Sequence, residues 1–111
     1  MKIKPRDNCP VDRTAQLFGD RWSFLILRNL LLDGPHRFQD FSKSLPNISP
    51  TTLSARLKKL EDAGLVRRSV IDARPPKTVY EITELGQSAR PVIRAMREFG
   101  LQIVDDDMSL G

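Results

Sequence analysis

The hydrophobic period of the chain changes directly after Gly64, from the spacing of a helix to the alternation of a strand. Before this point, Ser49 is a favourable N-cap. Pro50 is a favourable first helical residue, because an N–H at that position would have no partner within the helix. A helix is therefore predicted from Pro50 to Ala63, and Gly64 is a suitable residue to end it. Its predicted buried stripe consists of Leu53, Leu57 and Leu60.

A two-stranded hairpin is predicted to follow this helix, with strands over residues 65–71 and 78–82. Thr83 is then expected to cap a last helix that begins at Glu84. Pro91 removes one hydrogen bond from that helix and should kink it or split it. The run Asp105-Asp106-Asp107 opposes the helix dipole and should end the helix.

Three further helices are predicted ahead of residue 49. The first covers residues 11–18. The second covers residues 21–32, with Asp20 as its N-cap, and apolar residues on most of its circumference predict a central buried position. A short third helix should end before Pro46. The third and fourth helices with the turn between them indicate a helix-turn-helix, and the hairpin that follows is typical of a wing. The predicted fold is thus mainly α (α+β), a winged helix-turn-helix.

Positive charge is concentrated in one part of this single-domain chain of 111 residues. The whole chain has 18 Lys and Arg against 14 Asp and Glu, a net charge of +4. The segment from Pro50 to Thr78 alone has seven cations and three anions, which also gives +4. A predicted recognition helix and wing that carry the whole excess of positive charge favour binding to DNA.

A recognition helix needs short polar side chains at its start, where bases are read, and cations further along. The residues predicted to contact DNA from the fourth helix and its N-cap are Ser49, Pro50, Thr51, Thr52, Ser54, Ala55, Arg56, Lys58 and Lys59. Arg56 suits either guanine O6/N7 or a phosphate, and the sequence leaves both open. For Lys58 and Lys59 the alternative is an ordinary solvated helix face.

Three cations outside this helix complete the predicted interface. Arg74 and Lys77 flank the two prolines of the hairpin tip, which favours a contact in or near a minor groove. Arg21 begins the second helix, where a phosphate would also meet backbone N–H groups. The alternatives are a solubilising turn residue for Arg74 and a surface cation for Arg21.

Several other classes of protein are disfavoured. The lone Cys9 excludes an internal disulfide, and with His36 as the only histidine no metal cluster or Cys/His catalytic pair is predicted. The chain has no phosphate-binding loop, nucleophile elbow or paired-carboxylate motif, so neither an enzyme nor a cofactor is predicted. Without an apolar leader or an apolar run of membrane-spanning length, a cytoplasmic protein is expected. A winged-helix module that contacts protein instead of DNA is the alternative function.

Seven short stretches spread over residues 9–104 form a recognisable pattern: Cys9-Pro10, Gly19–Arg28, Arg37–Phe41, Ile48–Leu57, Leu60–Val66, Tyr80–Gly86 and Pro91–Ile93. In their order and spacing, these stretches resemble the HxlR family of winged-helix regulators, which are relatives of the MarR type. Asp20 departs from the family pattern, because many relatives have a second glycine there. The resemblance implies a transcriptional regulator that acts as a homodimer on a palindromic or near-palindromic duplex operator.

The resemblance also implies extra N- and C-terminal helices that form the dimer interface. On the last helix the predicted interface residues are Val92, Ile93, Met96, Phe99 and Ile103. Some members of the family sense oxidants or electrophiles through the cysteine that matches Cys9, so an oxidant or small-molecule effector is a candidate partner. A structural cysteine near the dimer interface is the alternative. The domain is predicted over residues 9–107, between a flexible tail at 1–8 and a C-terminal tail at 108–111.

Overall fold

The computed structural model describes residues 9–108, and it describes the side chains of residues 9–104. Helices precede and follow a two-stranded antiparallel sheet, as predicted. The elements are α1 (Pro10–Leu17), α2 (Arg21–Asp33), α3 (Phe38–Ser44), α4 (Pro50–Asp62), β1 (Val66–Ile71), β2 (Lys77–Ile82), α5 (Glu84–Gln87) and α6 (Arg90–Met108).

Helix α2 is the centre of the core. Ile26, Leu27 and Leu30 are buried on it, because apolar residues cover most of its surface and other elements pack around it. Trp22 is only half-buried at its N-terminal end. The other buried core residues come from the adjoining elements: Phe18, Phe41, Leu45, Leu53, Leu57, Leu60, Leu65, Val66 and Ala89. The predicted buried stripe of the fourth helix is confirmed.

The end of α4 fixes how the hairpin leaves it. Gly64 has a φ of +81°, a left-handed conformation that residues with a Cβ rarely adopt. The N–H of Leu65 donates to the carbonyl of Leu60, and the N–H of Gly64 donates to the carbonyl of Glu61, each at 3.0 Å. This pair of bonds is the Schellman motif, in which two otherwise free carbonyls at the helix end are satisfied. The change of hydrophobic period after Gly64 therefore coincides with the capped C-terminal end of α4.

The hairpin is tied to the helices by a third extended segment. Strands β1 and β2 pair from Val66 opposite Ile82 to Ile71 opposite Lys77. His36, in the link between α2 and α3, exchanges two backbone hydrogen bonds with Tyr80, with N–O distances of 2.9 and 2.7 Å. The base of the wing is thus fixed to the core, while its tip extends beyond this link.

The last predicted helix is split in two at Pro91, one of the two outcomes expected. Thr83 caps α5, accepting the N–H of Gly86 at 3.0 Å, and α6 begins at Arg90 with Pro91 in its first turn. Proline is tolerated in that turn because the first N–H groups of a helix have no internal partner.

The predicted end of this helix at Asp105-Asp106-Asp107 is wrong, since α6 continues to Met108. Carboxylates near a helix C-terminus cost only tenths of a kcal/mol to about 1 kcal/mol each, whereas glycine or proline changes the backbone itself. Met108, where the C-terminal tail was predicted to begin, lies in α6. The other tail residues, 1–8 and 109–111, lie outside the described residues.

Candidate nucleic-acid interface

Helix α4 presents one apolar face to the core and one polar face to solvent. Leu53, Leu57 and Leu60 are buried, with the largest exposed fraction among them at 2%. Residues displaced by about half a turn from this stripe point away from the core. The exposed residues on that side are Thr51, Ser54, Ala55 and Lys58. The predicted reading residues at the start of α4 are therefore accessible, apart from those engaged in capping.

The start of α4 uses two of the predicted reading residues for its own cap. The Ser49 hydroxyl accepts the N–H of Thr52 at 3.1 Å and donates to the Thr52 hydroxyl at 2.9 Å. Pro50 follows as the first helical residue and is exposed. Thr52 is half-buried, so its hydroxyl and that of Ser49 are both partly committed to each other.

Arg56 and Lys59 extend from one flank of α4 towards the start of α2. Arg56 Nε lies 3.0 Å from Asp20 Oδ1, and Lys59 Nζ lies 3.9 Å from Asp20 Oδ2. The Nε–H of Arg56 is buried, and it is too poorly aligned with the Asp20 carboxylate for a hydrogen bond. The contact between the two side chains is therefore an ion pair. The sequence predicted Asp20 only as an N-cap. Its contact with α4 joins residues that are distant along the chain, and no local pattern indicates it.

The Asp20 carboxylate is held in place from its own helix as well. Oδ1 accepts the N–H of Ser23 at 2.9 Å, and Oδ2 accepts the Ser23 hydroxyl at 2.8 Å, which confirms the predicted N-cap. Burial by itself raises the pKa of Asp20. The hydrogen bonds from Ser23 and the charge of Arg56 outweigh that effect, so the pKa of Asp20 lies below its ordinary value. Asp20 is therefore a fixed anion against α4 at neutral pH.

Lys58 has a different environment on the solvent side of α4. Its Nζ lies 2.9 Å from Oδ1 of Asp62, one helical turn further on, and both side chains are largely exposed. The hydrogen bond to Asp62 raises the pKa of Lys58. Exposed pairs of this kind are screened by water and salt, so Asp62 offers little resistance to a phosphate that competes for Lys58.

The hairpin carries four cations. One arginine forms an ion pair, and the other three cations form none with the described residues. Arg67 lies 2.9 Å from Glu81 on the neighbouring strand. The predicted contacts Arg74 and Lys77 are exposed at the tip, and Arg68, which was not among the predicted site residues, is exposed on β1. Arg68 follows Arg67 on the strand and so points to the other face of the hairpin.

Arg21 is exposed at the first position of α2. Its guanidinium carbon lies 4.6 Å from the centroid of the Trp22 ring, within the range of a cation–π contact. Because Arg21 directly follows Asp20, this cation lies at the end of α2 that faces α4. The structure thus brings Arg56 and Lys59 to the start of α2, where Arg21 is the first helical residue.

The predicted dimer residues of α6 divide into two groups. Val92 and Ile93 are half-buried in the first turns, where α6 packs mainly against α2. Met96, Phe99 and Ile103 are 41%, 65% and 43% exposed. Two apolar residues that the sequence reasoning left out, Leu101 and Val104, are also exposed. A groove of about 690 Å³ between α2 and α6 is lined by apolar residues such as Phe24 and Leu25, and also by Arg28, Arg90, Arg94 and Arg97.

Cys9 is half-buried, with a free thiol, at the N-cap position of α1. Its side chain makes no capping hydrogen bond, and its carbonyl accepts the N–H of Arg13 at 2.9 Å. Within residues 9–104, no three His, Cys, Asp or Glu side chains are grouped as metal ligands would be. No helix of the described segment combines the length and apolarity needed to cross a bilayer.

The family of the chain follows from its sequence. Residues 17–108 match the model of the HxlR-like helix-turn-helix family. The chain belongs to this family. In Bacillus subtilis strain 168, the relative named uncharacterized HTH-type transcriptional regulator YdeP is 36% identical over 99 residues, which cover 89% of this chain and 77% of YdeP. The HTH-type transcriptional regulator YodB of the same organism is 37% identical over 98 residues, which cover 87% of each chain.

Solved structures agree with this assignment. The redox regulator HypR in its reduced form matches with a TM-score of 0.82 at 33% identity, over 91% of this chain and 99% of HypR. Reduced YodB from B. subtilis matches with a TM-score of 0.74 at 38% identity, over 85% of this chain and 92% of YodB. The predicted winged helix-turn-helix fold is confirmed. The protein is a helix-turn-helix transcriptional regulator, and its relatives are regulators and not enzymes.

Proposed function

We propose that this HxlR-family protein is a homodimer that binds a palindromic or near-palindromic duplex operator in a sequence-specific manner. Each protomer inserts the solvent face of α4 into the major groove, and the tip of the hairpin follows the neighbouring backbone or minor groove. The regulator acts in the cytoplasm, bound to the nucleoid. The observation that carries the proposal is the solvent face of α4, where accessible short polar residues are followed by cations.

The roles within this interface follow from side-chain chemistry. Thr51 and Ser54 reach base edges, and the methyl groups of Thr51 and Ala55 can meet a thymine methyl. Lys58, Lys59, Arg74, Lys77 and Arg21 meet phosphates, which fix the position of the protein without reading sequence. Ser49, Pro50 and Thr52 set the start of the helix, and Arg56 reads a base from its flank. A winged-helix module that docks on protein would have no use for this set of cations.

The dimer proposal rests on α6. Its 19 residues form a helix about 28 Å long, and several large apolar side chains on it remain exposed. Met96, Phe99 and Ile103 are spaced three and four residues apart and so lie on one side of the helix, where a second copy of the same helix would cover them. Met96, Phe99 and Ile103 form the centre of the proposed interface, and Val92 and Ile93 continue it towards α2.

The test is selection of bound sequences from random duplex DNA, followed by titration of the selected operator at two salt concentrations. We expect a two-fold motif whose half-sites lie about one helical turn apart. Affinity should fall steeply as salt rises, because phosphate contacts release counterions. Selection of no motif, together with weak binding that depends only on salt, would contradict the proposal and favour the protein-docking alternative.

A second candidate function is control of DNA binding by an oxidant or electrophilic small molecule at Cys9. Two observations favour it: the thiol of Cys9 is free and half-buried, and the similar structures include one named as a redox regulator. We expect Cys9→Ser to abolish any change in operator affinity caused by diamide or a quinone. A response that persists in Cys9→Ser would assign Cys9 the structural role instead.

A further inference from the structure

Asp20 links the central helix α2 to the recognition helix α4. Two hydrogen bonds from Ser23 fix its carboxylate at the start of α2. The same carboxylate lies 3.0 Å from Arg56 Nε and 3.9 Å from Lys59 Nζ. Because the anion is fixed by its own helix, it has little freedom to follow the arginine. The arginine must instead take its orientation from Asp20.

Asp20 approaches the Arg56 guanidinium most closely at its Nε edge. Nε is buried against Asp20, whereas the Arg56 side chain as a whole is 34% exposed. Nη1 and Nη2 donate no hydrogen bond within residues 9–104, and Nε is the buried atom of the group that has no hydrogen-bond partner. A pair of parallel N–H groups in a planar fork is the arrangement that binds O6 and N7 of guanine.

We propose that Asp20 is a positioning residue for sequence recognition, which orients the Arg56 guanidinium so that Nη1 and Nη2 meet a guanine edge. The inference rests on the DNA-binding function proposed above. Ordering a long side chain during binding lowers affinity, and Asp20 orders this one before DNA arrives. A phosphate contact would gain little from such an orientation, because a phosphate contact reads no sequence and tolerates a mobile cation.

The principal variant is Asp20→Asn, which retains an N-cap residue but removes the charge that holds Arg56. Asp62→Asn is the matched control, because it removes the carboxylate that pairs with Lys58 on the same helix and changes the net charge equally. Affinities are measured for the selected operator and for a scrambled duplex at one salt concentration. Asp20→Ser, which also caps the helix, guards against an effect peculiar to asparagine.

We expect Asp20→Asn and Asp20→Ser to lower the ratio of operator affinity to scrambled affinity by about 2- to 10-fold, the range for one side chain that must be ordered on binding. Asp62→Asn should raise both affinities alike and leave the ratio unchanged, since phosphate contacts carry no sequence information. Thermal unfolding of each variant checks that the helices remain folded.

A second readout separates positioning from a general structural role. Single base-pair substitutions across the operator should show that Asp20→Asn and Arg56→Ala relax specificity at the same base pair. The double variant should relax it no further than Arg56→Ala alone. An Asp20→Asn variant that behaves like Asp62→Asn, or an Arg56→Ala variant with unchanged specificity, would overturn the inference and leave the proposed function standing. If the wild-type protein selects no operator, the proposed function fails and the inference fails with it.

Discussion

At the scale of single residues, Asp20 performs two tasks with one carboxylate. It caps α2 through Ser23, and it pairs with Arg56 and Lys59 of α4. A glycine at this position would provide neither contact. The side chain is 23% exposed, so water weakens its ion pairs only in part. The cap and the ion pairs can be separated by substitution, because asparagine supplies the first and not the second.

Asp20→Ala should lower the free energy of unfolding at neutral pH by about 0.5–2 kcal/mol, the usual effect of losing an N-cap side chain. Asp20→Asn should retain most of that stability. Urea unfolding of the three proteins, followed by circular dichroism, measures the difference. Equal losses in the two variants would show that the ion pairs with α4, and not the cap, carry the stability contributed by Asp20.

Asp20 also makes the stability of the folded protein depend on pH, in a direction that follows from its pKa shift. Folding lowers the pKa of Asp20, so the ionised form is bound more favourably in the folded protein. The resulting stability is fully present above the unfolded pKa of about 3.9, and it is lost as pH falls through the lower folded pKa. The stability difference between the wild type and Asp20→Ala should therefore shrink in strongly acidic buffer. A difference that grows with acidity would contradict the direction of this pKa shift.

At the scale of elements, the wing can be examined separately from the recognition helix. Arg74→Ala removes an exposed tip cation that has no ion pair among the described residues. We expect a loss of affinity that is similar for all duplex sequences. The slope of log affinity against log salt concentration should also become shallower by about one unit, because one phosphate contact is lost. Arg67→Ala is the matched control, because Glu81 already engages that guanidinium. A loss for Arg74→Ala that depends on one base pair would instead assign Arg74 to base reading.

Element boundaries were predictable where a residue constrains the backbone directly. Ser49-Pro50, Gly64 and Pro91 each limit which backbone conformations are available, and each marks a real boundary. The run of aspartates at 105–107 acts only through charge, which is too weak to end a helix, so the prediction there was wrong. The sequence identified the polar face of α4 from its periodicity. It could not identify the Asp20–Arg56 contact, because that contact depends on how α2 and α4 pack.

At the scale of the whole molecule, the proposed dimer depends on α6. It packs mainly against α2 and leaves Met96, Phe99, Leu101, Ile103 and Val104 exposed. Met96, Phe99 and Ile103 share one side of α6, and a charge introduced among them would have to be buried without a partner if two copies met there, which is strongly unfavourable. A charge introduced at an exposed apolar residue elsewhere would have no such effect. This difference allows the dimer to be tested without knowledge of the operator.

Phe99→Glu should convert the protein to a monomer at micromolar concentrations, as measured by sedimentation equilibrium. Val70→Glu is the control, because Val70 on the wing is 64% exposed and Phe99 is 65% exposed, so both introduce a charge at similar accessibility. The melting temperature of the wild type should rise with protein concentration, since association stabilises only the folded state, and that of Phe99→Glu should not. Operator binding should weaken in parallel, because one protomer reaches only one half-site. A Phe99→Glu protein that remains dimeric would remove α6 from the interface and leave its apolar surface for a different partner.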